Sequence, residues 1–435
     1  MSPFSRCLIA LAALHALTTP AKSQNDLQPT FEFSFSSPGA RSMGFGGAFV
    51  ALADDATAAF ANPAGLIQIV RPEISVEGRA WSYSTPYVAG GRIFGEPTGI
   101  GLDDSPGLRW GESSDDLVGL SFLSFVAPGR RSSLAVYRHQ LANFETASAL
   151  RGLYSGPWPQ GSVRREFDQS KTARLRIVGY GLTGAFSVND QFSVGAGLAY
   201  FAGSFQSTSS VWATFDSAAF FSPVPTIPEN LIYSASVVID DTDWGLVAGF
   251  LWRVTPRLRA GGFFRQGPEF ATAKTLTMGP RNFLGLPAGV TQSQPVKPMV
   301  FPDVYGAGVS CRALGERLTL AFEWDRIGYS SLLGHYNASG FENRLEDADE
   351  FHFGIEHLFL DAKPMIAMRI GAWTDPAHQI HDDSHYVTRA VLPPGEDQLH
   401  LALGLGLAFW ELQLDAAVDF SDRANTISVS TIYSF

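Results

Sequence analysis

The chain has 435 residues, a formal net charge of −11 and 45% hydrophobic residues. This acidic balance argues against nucleic-acid binding, so we predict no nucleic-acid partner. Beyond the N-terminus the sequence contains no apolar run of about 18 residues or more, which excludes a protein that crosses a membrane with helices.

Residues 1–23 are predicted to be a secretory signal peptide. Arg6 supplies the positive end, Cys7–Leu17 forms the apolar stretch, and Ala21-Lys22-Ser23 offers small residues for cleavage before Gln24. Once this segment is removed, Cys311 is the only cysteine left, so no intramolecular disulfide is expected. The chain is therefore predicted to be exported.

Pro38–Leu66 is the most distinctive stretch, because four of its glycines fall close together (Gly39, Gly44, Gly46 and Gly47). Each glycine inside a helix costs roughly 1 kcal/mol relative to alanine, so the first half is predicted not to be helical. We interpret it as a backbone-rich segment that another surface approaches closely. It is too short to hold a core of its own, so residues 24–70 are predicted to be a plug that the rest of the chain encloses.

A short helix is predicted to follow, with Asp54 as its N-cap and Asp55 near its positive end. Pro63 disfavours a helical conformation at Asn62, so the helix is expected to end there. A second interpretation gives both aspartates a functional role, in which they join a ligand-responsive latch through contacts to lumen arginines.

From residue 71 onward, stretches of alternating side chains are separated by turn signals. Leu399–Trp410 has leucine or phenylalanine at each odd position, and Leu412–Phe420 puts Asp415 and Asp419 opposite its apolar face. Such carboxylates are costly in a dry core but acceptable in a wet lumen. The pattern predicts an all-β fold, a transmembrane antiparallel β-barrel of about 14 strands across residues 71–435 that encloses the N-terminal plug. We place the strands near 72–84, 116–127, 131–143, 172–187, 191–206, 234–253, 257–272, 299–312, 317–328, 348–359, 363–374, 397–410, 411–420 and 424–435.

The predicted connections alternate between short turns and long loops, as in outer-membrane barrels. The last strand places Ile427, Val429, Tyr433 and the terminal Phe435 on one face. A terminal aromatic residue on such a strand resembles the sorting signal of bacterial outer-membrane barrels. It implies the barrel-assembly machinery as a partner, and the outer membrane with its lipids as the location.

The amino-acid sequence of the N-terminal stretch resembles the hatch of FadL/TodX-type outer-membrane transporters of hydrophobic compounds. Asn62-Pro63-Ala64 stands in the family's place, and Phe250–Arg265, Phe301–Tyr329 and Arg369–Pro376 continue the resemblance. It implies a fourteen-stranded barrel plugged by a hatch, with Gly46, Gly47, Asp54, Asp55 and the Asn62-Pro63-Ala64 turn as gating residues. It also implies lateral exit beside a kinked early strand, although 131–143 contains neither Gly nor Pro to kink that strand.

Two long loops, 207–233 and 273–298, are apolar for exposed segments. They are predicted either to bind a hydrophobic ligand or to pack on each other as a lid, and in the resembling transporters the corresponding loops form the first ligand groove. Ala213–Phe221 is expected to turn once or twice as a helix before Pro223. The candidate ligand-binding residues are Trp212, Phe215, Phe220, Phe221, Phe283, Leu284 and Leu286.

Charged side chains are also predicted to face the lumen, namely Arg176, Arg265, Arg369, Glu323 and Asp325, together with Glu356, Asp415 and Asp419. An arginine in the lumen could bind the carboxylate of a fatty acid. The alternative, which we favour, is a structural network in which the arginines pair with these acids and with the hatch.

These observations predict passive transport of long-chain fatty acids or other hydrophobic small molecules, since no energy-coupling motif is visible and no cofactor is indicated. The alternative is a non-transporting barrel that acts as a surface scaffold or secretion shuttle. No enzyme is predicted, because His352 and His400 have no evident serine partner for a hydrolase. His378, His381 and His385 have ligand-like spacing, but they occupy a polar loop to which we assign no metal.

Overall fold

A computed structural model describes residues 35–99, 103–156, 164–216, 219–223, 226–282, 285–336, 343–382 and 386–435. The predicted signal peptide and the first part of the predicted hatch, residues 1–34, lie outside the described residues. Fourteen antiparallel strands form the wall, each paired with the next, and the last pairs with the first to close a barrel. They are β1 (Glu73–Arg92), β2 (Leu108–Pro128), β3 (Ser132–Leu150), β4 (Asp168–Ser187), β5 (Phe192–Trp212), β6 (Leu231–Arg253), β7 (Leu258–Arg265), β8 (Val304–Ala313), β9 (Leu318–Ile327), β10 (Ala348–Phe359), β11 (Met365–Asp375), β12 (Gln398–Phe409), β13 (Leu412–Phe420) and β14 (Ala424–Ser434). No helix among the described residues is long and apolar enough to cross a membrane.

The outer face of the wall carries the apolar side chains that the alternation predicts. In β12, Leu399, Leu401 and Leu403 are more than half exposed, whereas His400 and Ala402 between them are buried. An apolar outer band around polar inner positions is what a barrel needs in order to span a bilayer. The predicted fold class is confirmed.

The connections alternate in length as predicted. At one end, short turns join the strands at 129–131, 188–191, 254–257, 314–317, 360–364 and 410–411. At the other end the connections are longer, except for 421–423. The C-terminus returns to the short-turn end, where Phe435 N donates to Pro72 O over 3.0 Å. We call the short-turn end the lower end of the barrel.

Several strands extend further above the apolar band than the sequence indicates. β1 continues to Arg92 and β2 begins at Leu108, so much of the predicted loop 85–115 is a hairpin. Residues above the band need no apolar outer face, so the period-two signal disappears there although the strand continues. Conversely, β7 ends at Arg265 and not near 272, because Glu269–Phe270 leaves the wall and pairs with Met299–Val300.

The predicted helix at 213–221 is wrong. Phe215–Asp216 pairs with Ala219–Pro223 as two short strands. β5 and β6 pair with each other up to Trp212 and Leu231, so β5 extends beyond its predicted end at 206 and β6 begins before 234.

Shorter elements fill the interior and the upper connections. The helices are α1 (Ala40–Gly44), α2 (Ala58–Ala61), Leu333–Tyr336 and Tyr386–Val391, and 3₁₀ turns occur at Pro63–Gln68, Pro228–Asn230 and Tyr329–Leu332. The remaining short strands are Leu153–Ser155, Arg164–Arg165, Ala273–Met278, Thr291–Pro295, Asn343–Arg344 and His381–Asp382.

Residues 35–69, which we call the N-terminal segment, lie inside the lower part of the barrel. The side chains of Phe45 and Phe60 are buried there. Ser310 Oγ, three residues from the lower end of β8, donates to Ala51 O over 3.2 Å. The segment therefore fills the lower lumen, and the largest apolar cluster includes its Val50 and Ala51 and continues upward among the strands.

One helix of this segment was not expected. α1 is a single turn that ends at Gly44, and Gly46 and Gly47 follow with φ angles of +67° and +81°. The glycines thus end the helix instead of interrupting it, since only glycine adopts such angles without strain. α2 ends at Ala61 as predicted, because Asn62 is extended with φ −156°.

Candidate functional site

Glycines on both surfaces let the N-terminal segment touch the wall directly. A Cβ added at Gly44 would lie 2.6 Å from the Cα of Gly404, and one at Gly371 would lie 2.1 Å from the nitrogen of Gly46. Real Cβ atoms do not approach other atoms this closely, so these positions exclude larger residues. The predicted close approach is confirmed, while a role of Gly46 and Gly47 in gating stays a prediction.

The Asn62 side chain fixes the turn that follows α2. Its Nδ2 donates to Val50 O over 3.0 Å and to Phe250 O of β6 over 2.9 Å, and its Oδ1 accepts from Ala64 N over 3.2 Å. Asn62 is fully buried. Pro63 begins the 3₁₀ turn, where its missing N–H leaves no donor unpaired.

Arg41 connects the N-terminal segment to the wall. Its guanidinium lies 2.8 Å from Asp54 and 3.3 Å from Glu356 of β10. Asp54 also lies 3.0 Å from Arg312 of β8. The predicted N-cap role of Asp54 is therefore wrong, because these guanidinium groups hold its carboxylate against the wall.

Asp55, and not Asp54, accepts the backbone hydrogen bond before α2. Its Oδ1 accepts from Thr57 N over 2.9 Å and so closes the turn before α2. Burial raises the pKa of Asp55, and Arg41 offsets this only in part. Burial acts in the same direction on Asp54, but the guanidinium groups of Arg41, Arg259 and Arg312 outweigh it and lower the pKa of that carboxyl.

Two of the three predicted lumen arginines do face the lumen. Arg369 lies 2.7 Å from Glu356 and 2.6 Å from Asp415. Arg265 lies between two aromatic rings, with its Cζ 4.3 Å from the centroid of Phe60 and 4.1 Å from that of Phe263. All of these side chains are buried. The contacts agree with the structural network that we favour.

The prediction that Arg176 faces the lumen is wrong. This arginine is exposed on the outer face of β4, while Leu175 and Ile177 on either side point inward and are buried. The upper lumen is packed with apolar side chains. On this stretch of β4, therefore, the apolar side chains point inward and the charged ones outward, which is the reverse of the predicted pattern.

Glu323 and Asp325 of β9 are buried and face the interior. Glu323 Oε2 accepts from Val50 N over 2.7 Å, so this acid anchors the N-terminal segment. Asp325 lies 3.9 Å from the Nε2 of His352, and the Nδ1 of that ring lies 2.8 Å from Gly46 O. Both acids thus contact the segment directly or through one histidine.

The wall is interrupted between β2 and β3. These strands pair from Phe122 with His139 down to Pro128 with Ser133, and not above that point, although both are described along their whole length. Higher up, β2 pairs only with β1, and β3 only with β4. We call this unpaired stretch the seam.

Two opposed bulges account for the seam. The pairing of β1 with β2 slips at Ser121, and the pairing of β3 with β4 slips at Leu141, which is the extra residue between Gln140 and Ala142. A bulge bends its strand and increases its twist, so two bulges at the same height drive the strands apart. No Gly or Pro is needed for this kink.

Side chains bridge the seam where backbone pairing is missing. Tyr83 of β1 receives a hydrogen bond at its hydroxyl from Glu145 N over 2.6 Å and stacks on Phe144, with centroids 5.2 Å apart. Higher up, Ala147 N donates to Ser113 Oγ over 2.9 Å. The stretch between Ser113 and Phe122 corresponds to roughly 30 Å of strand, at about 3.3 Å per residue.

Tyr83→Phe is expected to loosen the upper seam without unfolding the barrel. The phenyl ring keeps its stacking on Phe144, but the Glu145 amide loses its partner, at a cost of about 1–3 kcal/mol. Hydrogen–deuterium exchange should show faster exchange in a peptide that contains Phe144–Ala147. The matched control is Tyr433→Phe, since Tyr433 points outward and is half exposed. Unchanged exchange in Tyr83→Phe would show that the hydroxyl does not hold the seam.

A cavity of about 140 Å³ lies directly above the N-terminal segment and reaches the seam. Ser36, Met43, Gly46 and Gly47 form its floor. The seam side is lined by Ser121, Gln140, Leu141, Ala142 and Asn143, and the rest of the wall by Arg79, Trp81, Tyr83, His352, Trp373, Asp375, Gln398, His400, Asp419, Ser421, Arg423, Ala424 and Thr426.

A second cavity of about 380 Å³ lies nearer the long loops. It is lined by Trp110, Lys171, Val391 and Leu392 among others, and Arg423 lines both cavities. The two cavities thus follow each other from the upper end of the barrel to the seam.

The predicted ligand-binding loops are described only in part. Phe283 and Leu284 lie outside the described residues, and only the backbone is described for Phe215, Phe220 and Phe221. Trp212 ends β5 beside Leu231, and Leu286 is partly exposed. The ligand role of these residues stays a prediction.

The histidine loop contributes structural contacts. His378 stacks on Tyr329 with centroids 4.7 Å apart and lies 3.3 Å from Asp375. His381 lies in a short strand, and His385 falls outside the described residues. Within the described residues, His, Cys, Asp and Glu form no group of three that could hold a metal ion.

The resemblance implied a lateral exit beside a kinked early strand, but the sequence did not locate it, although a change of parity occurs in β3. In β3 the buried positions are odd up to Leu141, and then Ala142 and Phe144 are buried at even positions. Such a change of parity within one strand is the mark of a bulge. Tyr83 and Gln398 carry no comparable signal.

No family model and no curated protein sequence matches the chain. Several solved structures have a similar fold. The CymD monoaromatic hydrocarbon channel is 16% identical with a TM-score of 0.55, over 93% of this chain and 99% of that one. The Ralstonia pickettii toluene transporter TbuX is 15% identical with a TM-score of 0.52, and the P. putida toluene transporter TodX is 13% identical with a TM-score of 0.57; each match covers 92% of this chain and 99% of the other. At these identities the similarity concerns the fold.

Proposed function

We propose that this protein is a passive outer-membrane channel for hydrophobic small molecules, which leave the lumen sideways into the bilayer. One observation carries the proposal: the cavity above the N-terminal segment is lined by residues of the seam itself, from Ser121 across to Asn143. Val118 and Leu120 beside the seam are exposed on the outer face, which supports an opening at the height of the apolar band. The channels and transporters with a similar fold support the same class of cargo.

The lateral exit also explains how cargo can pass a filled lower lumen. A path straight down would require the N-terminal segment to turn about Asn62-Pro63-Ala64, and this movement would break the hydrogen bonds of Asn62 to Val50 and Phe250. The seam avoids that cost. Hatch movement, with Gly46 and Gly47 as gating residues, is therefore a secondary proposal.

Cavity size favours small cargo over long chains. An engineered apolar cavity of about 150 Å³ holds one benzene molecule, and the cavity at the seam has about 140 Å³. A long-chain fatty acid would have to occupy both cavities, with its carboxylate near Lys171 or Arg423. We therefore propose single-ring compounds as the main cargo and fatty acids as the second candidate.

Uptake by intact cells tests this function, because a lipopolysaccharide leaflet slows hydrophobic compounds that cross phospholipid freely. Radiolabelled toluene and oleate are supplied to a Gram-negative host with and without the protein. Faster toluene uptake in the expressing cells supports the channel. If expressing cells take up neither toluene nor oleate faster than cells without the protein, the result favours the non-transporting scaffold.

A further inference from the structure

We infer that the cavity at the seam selects a neutral single-ring aromatic compound that carries a hydroxyl or amino group, in preference to a plain hydrocarbon. This inference rests on the proposed function and names its substrate class. It is drawn from two features of the cavity wall, a stack of aromatic side chains and a buried hydrogen-bond acceptor beside two carboxylates.

The aromatic feature spans three neighbouring strands. Trp373 of β11 is the cross-strand partner of His352 on β10 and of His400 on β12. Its ring stacks on both, with centroids 5.4 Å from His352 and 3.9 Å from His400. The histidine rings thus stack on the faces of Trp373, so the indole presents its edge to the cavity that all three residues line.

Hydrogen bonds fix this stack in place. Trp373 Nε1 donates to Asp419 over 2.8 Å, and His400 Nδ1 lies 2.5 Å from the same carboxylate. His352 Nδ1 lies 2.8 Å from Gly46 O. A fixed row of ring edges suits the face of a flat aromatic ligand in an edge-to-face arrangement, which strengthens binding by up to about tenfold. A saturated ring of the same size gains nothing from this arrangement.

The polar feature consists of acceptors. Asp375 and Asp419 line the cavity, and so does Gln398, whose Oε1 is buried and has no hydrogen-bond partner among the described residues. A buried acceptor without a partner is costly, so a ligand that brings a donor is favoured.

The two carboxylates disfavour an anionic ligand such as benzoate. Two cations also line the cavity, and each lies near an acid of its own. Arg79 is held by Glu77 at 2.9 Å. Arg423 lies 3.9 Å from Glu396. For a ligand as small as benzoate, these cations therefore do not reverse the preference.

Binding measurements on the full-length mature protein in lipid nanodiscs test the inference, since detergent would compete for the cavity. The probes are p-cresol, toluene, benzoate and 4-methylcyclohexanol, and the readout is the Kd from titration calorimetry. We expect p-cresol to bind about tenfold more tightly than toluene, the usual net effect of one hydrogen bond. It should also bind about tenfold more tightly than 4-methylcyclohexanol, the effect of the aromatic contact, and benzoate should bind most weakly.

Gln398→Leu should remove most of the preference for p-cresol over toluene, because leucine offers no acceptor to the p-cresol hydroxyl. The matched control is Gln206→Leu, since Gln206 is exposed on the outer face and should keep the full preference. Heat-modifiable gel migration verifies that both variants are folded barrels.

Equal Kd values for p-cresol and toluene in the wild type, or an unchanged preference in Gln398→Leu, would overturn the inference. In that case toluene binding and uptake would still support the channel. If none of the four probes bound and toluene uptake were also absent, the proposed function itself would fail.

Discussion

Deletion of Leu141 is expected to abolish uptake of hydrophobic small molecules while leaving a folded barrel. Leu141 is the extra residue that separates the pairs Gln140–Val178 and Ala142–Ile177. Without it, β3 can follow β4 in continuous register, and its free edge can pair with β2. Each new backbone hydrogen bond adds about 0.5–1.5 kcal/mol, so several of them would hold the seam shut. Toluene uptake should fall to that of cells without the protein.

Leu141→Ala is the matched control for this deletion. It removes the same side chain from the cavity but keeps the backbone bulge, so uptake should largely persist. Heat-modifiable migration and the amount of protein in the outer membrane show whether both variants fold. Wild-type uptake by the deletion variant would mean that cargo does not leave through the seam.

Arg369→Met is expected to cause the largest loss of stability that the lumen network can produce. Arg369 is buried between Glu356 and Asp415, and the Asp415 side chain is fully buried. Methionine fills a similar space but leaves Asp415 without an ion pair. Removal of one partner from a buried ion pair costs about 3–5 kcal/mol. The free energy of unfolding by urea in lipid vesicles measures this loss.

Two further variants make this result specific. Arg326→Met removes an arginine that pairs with Asp349 at 2.7 Å on a partly exposed site, and it should cost less than about 1 kcal/mol. Adding Asp415→Leu to Arg369→Met removes the unpaired carboxylate and should recover much of the lost free energy of unfolding. If Arg369→Met cost no more than Arg326→Met, the network would not hold the barrel together.

The wall of the barrel could be predicted because membrane-spanning strands carry a strict period of two. The outward leucines of β12 and the inward Asp415 and Asp419 of β13 follow that rule and lie where the sequence indicates. The rule fails where its physical cause is absent. Above the apolar band the strands continue to Arg92 and from Leu108 without an apolar face, and at Arg176 the lumen itself is apolar.

The seam and the charge network depend on partners that are distant in the sequence. A bulge at Leu141 is defined only against Ile177 and Val178 on the next strand, so a change of parity is its sole local trace. Asp54 has a good local reason to cap a helix, but it pairs with Arg41 and Arg312 in the folded chain. Local sequence preferences determine the structural role of a residue only where tertiary contacts do not compete for its side chain.

A reversible cross-link across the seam tests the central claim most directly. A Cβ at Gly119 of β2 would lie 3.4 Å from Oε1 at the tip of the Gln140 side chain on β3, so a short bifunctional thiol reagent with a cleavable disulfide can join Gly119→Cys to Gln140→Cys across the opening. Cys311 is exposed and is replaced by serine to avoid other cross-links. We predict that cross-linking stops toluene uptake and that a reductant restores it. Full uptake by protein that is completely cross-linked would contradict lateral exit through the seam.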